Sequence, residues 1–148
     1  MGYSADCTAW YGYDLGWCED LPWLDEKWDG DIDEAITSTF AGTTATEPDY
    51  GADKDAWVRW RNEVRRAAET ANPFGVTYVS YGNTMMDYPG YGICLESFGS
   101  GCTPTPLNFE AVKQPSNEAI AALKALYKGL TGEDPAGEPE WLLSSSYR

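Results

Sequence analysis

Residues 76–98 read VTYVSYGNTMMDYPGYGICLESF, two β-branched and aromatic runs around a turn-rich link. VTYVSY (76–81) and YGICLESF (91–98) have the composition of strands. The link between them, GNTMMDYPG, carries glycine at both ends and Pro89, as a connection between paired strands does. This pair predicts a small antiparallel sheet around which the other segments can be placed. Beyond it, a tight turn at Gly99-Ser100-Gly101 leads to CTPTPLNF (102–109). Pro104 and Pro106 each remove a ladder donor there, so the segment fits only an edge strand or an extended stretch.

Two helices flank these strands. DKDAWVRWRNEVRRAAETAN (53–72) begins at capping-type Asp53 and Asp55 and stops at Asn72-Pro73. Its apolar stripe is Trp57, Trp60, Val64, Ala67, Ala68 and Ala71, at steps of three and four, and the two indoles are expected to fill the core. SNEAIAALKALYKGL (116–130) starts at Ser116 or Asn117. It buries Ile120, Leu123, Leu126, Tyr127 and Leu130, and glycines 129 and 132 help end it. At the N-terminal end, ADCTAWYGY (5–13) alternates as a strand. Ala5, Cys7, Ala9 and Tyr11 share one face, whose small residues suit a close helix, and Asp6, Thr8 and Trp10 share the other.

The expected fold is therefore α+β: a small, mostly antiparallel sheet of three or four strands with two main helices packed on one face. One globular domain is expected over 1–148. Within it lie an acidic irregular region at about 14–52 and, at 131–148, a Pro/Gly linker with a tail docking through Trp141, Leu142 and Leu143.

Composition narrows the function. The chain has 24 acidic and 10 basic residues, no histidine and a formal charge of −14. Residues 1–34 hold ten acids against one Lys, while residues 56–71 hold four Arg against two Glu. Direct nucleic-acid or anionic-membrane binding needs a basic stripe, and none is present. The partner this charge suits is a protein with a basic surface, reached through long-range attraction. A hydrophobic content of 43%, with seven Trp and ten Tyr, suits a folded chain.

MGYSADCTAWYGYDLGW shows neither the basic nor the apolar region of a leader, and no run reaches the ~18 apolar residues of a membrane span. With Cys7, Cys18, Cys94 and Cys102 lacking any CxxC pair, the expectation is a reducing cytoplasm and buried thiols, not a zinc site. The competing pairing, a Cys94–Cys102 disulfide, would cross a hairpin centred on residues 98–99.

The densest signal is CEDLPWLDEKWDGDIDEAI (18–36), with eight carboxylates, one Lys and two Trp. Placing Gly30 at the invariant sixth position of a calcium loop puts Asp25 first, Asp29 fifth and Asp33 ninth. Lys27 then holds the third position and Ile36 the twelfth, both ligand positions, so this is no EF-hand. A looser calcium cluster of Asp29, Asp31, Asp33 and Glu34 is the remaining metal alternative; no metal or cofactor is assigned. Without histidine there is no Ser-His-Asp triad, Cys-His pair or HExxH site, and no phosphate-binding loop occurs. Among 24 acids a nearby carboxylate pair arises by chance, so no catalytic residue is assigned.

The reading that follows is a non-enzymatic, acidic protein-binding module. Its partner-binding residues are Glu19, Asp20, Trp23, Asp25, Glu26, Trp28, Asp29, Asp31, Asp33 and Glu34. Small, histidine-free, Trp-rich acidic chains occur among phage accessory proteins. One role for such a chain is to inhibit a partner by covering a basic site that otherwise holds nucleic acid, its carboxylates standing in for phosphates. Two alternatives stay open. Trp10, Tyr11, Tyr13, Trp17, Trp23 and Trp28, interleaved with acids, suit a carbohydrate-binding or lytic module. A structural subunit of a larger assembly such as a virion would use its charge for solubility.

Overall fold

The structure is a computed structural model and describes residues 5–42, 46–83, 88–100 and 115–147. In chain order it contains β1 (Ala5–Trp17), a short 3₁₀ turn (Cys18–Asp20), α1 (Pro22–Trp28), α2 (Ile32–Ala41) and α3 (Lys54–Ala71). Then follow β2 (Thr77–Asn83), β3 (Gly90–Ser100), α4 (Asn117–Thr131) and β4 (Glu140–Tyr147). The class is α+β, with a four-stranded, mostly antiparallel sheet. The Pro-containing segment 102–109 lies outside the described residues.

β3 pairs antiparallel with β2 on one side and β1 on the other, and β1 pairs antiparallel with β4. β4 then meets β2 in parallel at Gly82↔Ser146 and Asn83↔Tyr147, so the sheet closes on itself in the order β1-β3-β2-β4. The tail read as a docking segment is thus the strand that closes the sheet. Its side chains alternate, with Trp141 and Leu143 exposed (Leu143 is 79% exposed) and Leu142, Ser144 and Ser146 turned partly inward.

That inverted pattern has a cause in Trp10, which is 1% exposed. Its ring lies over Gly92, where a Cβ would collide with it, and its indole N–H donates to the Ser144 hydroxyl at 3.0 Å. Small serines on β4 leave room for the indole and supply its acceptor. Trp10 and Cys94 lie on the inner side of the closed sheet. The neighbouring β3 residue, Ile93, points the other way into the helix-facing core.

The helices cover that other side. Tyr13, Val76 and Ile93 from the sheet side meet Leu123, Leu126 and Leu130 of α4, together with Leu21, Leu24, Ile32, Ala35 and Ile36. Each Leu, Ile and Val among them contributes about 1.5–3 kcal/mol when fully buried. Five of the core residues therefore come from the region expected to be irregular, and this corrects the sequence reading. Residues 14–17 are strand, and most of 18–41 is helical. The steps Leu21, Leu24, Trp28 and Ile32, Ala35, Ile36 are helical spacings that the surrounding carboxylates obscured.

The two main helices expected, α3 and α4, are present, but they lie at different depths. α4 packs on β3, whereas α3 packs chiefly on α2, one layer further from the sheet. Only Val64 and Ala68 of α3 are buried. Trp57 and Trp60 stay half-buried outside the central cluster, and the Trp57 indole donates to Glu47 at 2.8 Å. The small face of β1 is not a helix seat either, since Cys7 and the residues flanking Ala9, Phe98 and Leu143, are exposed.

Of the thiols, Cys94 is buried, Cys7 exposed and Cys18 half-buried, so burial holds fully only for the first. These three are not halves of a disulfide with one another; Cys102 lies outside the described residues.

Candidate functional site

The acidic stretch is positioned by its own core residues. Pro22 occupies the first turn of α1, where its missing N–H costs nothing. Leu24 faces the core, so Asp25, Glu26 and Lys27 face outward. α1 ends at Asp29, which adopts a left-handed conformation with φ 51°, followed by Gly30 with φ 78°. This reversal brings in Asp31, whose carboxylate accepts the Glu34 backbone N–H at 3.0 Å and caps α2.

Seven of the ten expected partner-binding residues present exposed carboxylates: Glu19, Asp20, Asp25, Glu26, Asp29, Asp31 and Asp33. The other three are used internally. Trp23 and Trp28 are half-buried and pack against the hydrophobic cluster. Glu34 forms an ion pair with Arg61 of α3 at 3.3 Å. The two indoles therefore brace the segment from behind and are not its presented face. The other ion pairs among the described residues, Lys124–Glu138 and Lys128–Asp134, involve α4 and the chain after it.

Where this segment meets the sheet there is a cavity of about 520 Å³, lined by Asp29, Gly30, Asp31, Ile32, Tyr78, Ser80, Pro89 and Tyr91. Tyr78 of β2 and Tyr91 of β3 meet edge to face, with ring centres 6.2 Å apart. Both belong to the helix-facing side, because Tyr78 pairs with Ile93 and Ser80 with Tyr91. Burial raises the Tyr91 phenol above its ordinary pKa, and the nearby Cys18, Tyr78 and Asp31 push the same way. Tyr91 thus stays a neutral hydroxyl donor at physiological pH. Two carboxylates beside two aromatic rings suit a cationic group, through charge on one side and ring faces on the other.

Among the described residues, no three acidic or thiol groups converge on a point that would hold a metal ion. The looser calcium cluster is not assembled, since Asp31 caps α2 and Glu34 turns to Arg61. No helix among the described residues is long and apolar enough to cross a membrane.

Sequence reasoning located the carboxylates but missed Tyr78, Ser80 and Tyr91. The available signal was the alternation of VTYVSY and YGICLESF, which places Tyr78 with Ser80 and Tyr91 with Ile93 on single faces. No family model, curated protein or solved structure matches the chain.

Proposed function

We propose that the protein is a non-enzymatic binding module whose acidic segment, Glu19 to Asp33, docks on a basic surface of a protein partner. One observation carries this reading. Seven exposed carboxylates are mounted on a segment anchored by Leu21, Leu24, Ile32, Ala35 and Ile36, with Lys27 the only base within it. Charge on an anchored segment loses less conformational entropy on binding than charge on a loose tail. It also keeps a defined spacing, which imitation of phosphates would require. The cavity between Asp29, Asp31, Tyr78 and Tyr91 gives such a surface a recess for one arginine or lysine side chain of the partner. The absence of histidine supports the non-enzymatic side of this reading. An inhibitor or accessory protein that occupies a nucleic-acid-binding site of its partner fits these features.

The test is affinity capture with mass spectrometry at about 0.05 M and 0.5 M salt, where screening lengths differ roughly threefold. The wild type is compared with a variant carrying Asp25→Asn, Glu26→Gln, Asp29→Asn and Asp33→Asn. A specific partner that is lost both at high salt and with the variant supports the proposal. Capture indifferent to both refutes it.

A further inference from the structure

The side of the sheet away from the helices has a second cavity, unrelated to the acidic segment. Among the described residues, β2 and β4 pair only through Gly82↔Ser146 and Asn83↔Tyr147. Below those pairs the two strands are not bonded to each other, and a slot of about 550 Å³ opens there. Its walls are Trp10, Asp14 and Trp17 from β1, Tyr81 and Gly82 from β2, and Leu142 to Ser145 from β4.

The aromatic floor of this slot is fixed before any ligand arrives. Trp17 and Tyr81 both pair with Gly90 of β3, one from each side. Gly90 has no side chain to separate them, and the rings meet edge to face with centres 5.3 Å apart. A Cβ on Gly90 would strike the Tyr81 ring, and one on Gly82 would strike Trp17. Tyr81 is locked further by donating its hydroxyl to Asp14 Oδ1 at 2.6 Å, an atom that also accepts the Gly16 backbone N–H at 3.0 Å. Trp17 nevertheless stays 48% exposed. A large ring held in place yet left half in water is a platform for something flat.

Polar groups surround the platform. Both hydrogen bonds to Asp14 fall on Oδ1, which leaves Oδ2 as an acceptor. The Ser144 hydroxyl accepts from Trp10 and keeps its own proton to donate into the slot. Among the described residues, no base lines the slot and Asp14 is its only acid, so most of the lining is uncharged. A group with one apolar C–H face and several hydroxyls matches these walls, and that is the chemistry of a pyranose ring. Its polarised C–H bonds lie on the negative face of an indole while its hydroxyls reach carboxylate and serine oxygens. The volume falls within the ~300–1,000 Å³ of small-molecule sites.

We propose that this slot is a saccharide-binding site, with Trp17 as the stacking platform, Asp14 and Ser144 as hydroxyl partners and Tyr81 as the residue that positions Trp17 and Asp14. The site does not depend on the acidic segment, and either assignment stands if the other fails.

The test uses cellohexaose, chitohexaose and maltohexaose as probes, read by Trp fluorescence and by indole and backbone NMR shifts. At least one probe is expected to perturb the Trp17 indole and Ser144 together. Trp17→Ala is expected to weaken that binding about tenfold or more, and Asp14→Asn to weaken it less. Tyr81→Phe keeps the ring but removes the bond to Asp14, so it separates positioning from stacking and should give an intermediate loss. Trp17→Phe retains a smaller platform and guards against a folding defect in the alanine variant. Asp33→Asn, on the acidic segment, should leave saccharide binding unchanged. Absence of any shift at Trp17 with all three probes overturns the proposal, and so does binding that Trp17→Ala leaves intact.

Discussion

The Arg61 guanidinium of α3 reaches the Glu34 carboxylate of α2 at 3.3 Å while lying 5.3 Å from the centre of the Trp57 ring. One side chain thus joins the outer helix to the inner one. Both partners are about a third exposed, at 33% and 29%, so water screens the pair. Arg61→Met should lower stability by about 1 kcal/mol, combining a modest ion pair with a partly exposed cation–π contact. Urea denaturation of Arg61→Met, Glu34→Gln and the double variant gives the coupling energy. A coupling indistinguishable from zero at low salt would show that the pair does not hold α3.

Asp31 caps α2, and substitution can separate that role from the docking role proposed for its charge. Asp31→Ala removes the cap on α2 and should cost about 1 kcal/mol. Asp31→Asn keeps an accepting oxygen for the Glu34 N–H and should cost much less, while removing the same charge from the docking surface. If partner binding tracks charge, the two variants should bind alike and differ only in melting temperature. Equal stabilities would mean that the cap contributes nothing.

The Cys94 thiol is fully buried, and desolvation raises its pKa from 9.0 to about 11. Below pH 9 both the folded and the unfolded thiol hold their proton. Between pH 9 and 11 the unfolded thiol loses its proton and the folded one keeps it. The unfolded state then binds fewer protons, and stability falls as pH rises, by on the order of 2 kcal/mol from this group. Tyr13, raised from 10.0 to about 12 chiefly by burial, adds to the decline above pH 10. Denaturation of the wild type and Cys94→Ala at several alkaline pH values should show a shallower early decline for the variant. Thiol labelling of the native protein should modify exposed Cys7 quickly and Cys94 only upon unfolding; equal rates would contradict the burial.

Gly12 lies where β1 shifts register against β3, opposite Cys94. A Cβ there would run into the Ile93 carbonyl and the Cys94 backbone. Backbone cannot rotate aside as a side chain can, so Gly12→Ala should cost about 3 kcal/mol or more. Gly137→Ala, where nothing lies within 4 Å of the added carbon, is the matched control and should be close to neutral. Similar melting points for the two would show that β1 and β3 approach less closely at Gly12.

The elements legible in the sequence were those whose apolar spacing stood clear of charge. α3 runs Lys54–Ala71 behind an Asp53 cap, and α4 runs Asn117–Thr131 behind Ser116, matching their stripes and end signals closely. α1 and α2 were not legible, because alternating carboxylates hid Leu21, Leu24, Ile32 and Ile36. β4 was missed for the opposite reason. WLLSSSY carries Trp141 and Leu143 outward and Ser144 and Ser146 inward, and that inversion makes sense only once Trp10 is known to fill the inside. The exposed carboxylates followed from net charge alone. Their meeting with Tyr78 and Tyr91, like the grouping of Trp17, Tyr81 and Asp14, depends on strand register across distant parts of the chain, which local pattern does not encode.

The ring of strands also sets an order of events. β1 is the first and its closing partner β4 the last of the described strands in chain order, so β1 waits for β4. Until residues 140–147 emerge, one side of β1 has no ladder partner and Trp10 has neither its covering strand nor the Ser144 acceptor. A nascent or truncated chain ending before Glu140 would therefore present an open sheet edge beside a bare indole, the combination that recruits chaperones or a second chain. The same closure gives β1 a partner strand on both sides over Cys7–Gly12, so that stretch keeps no free edge.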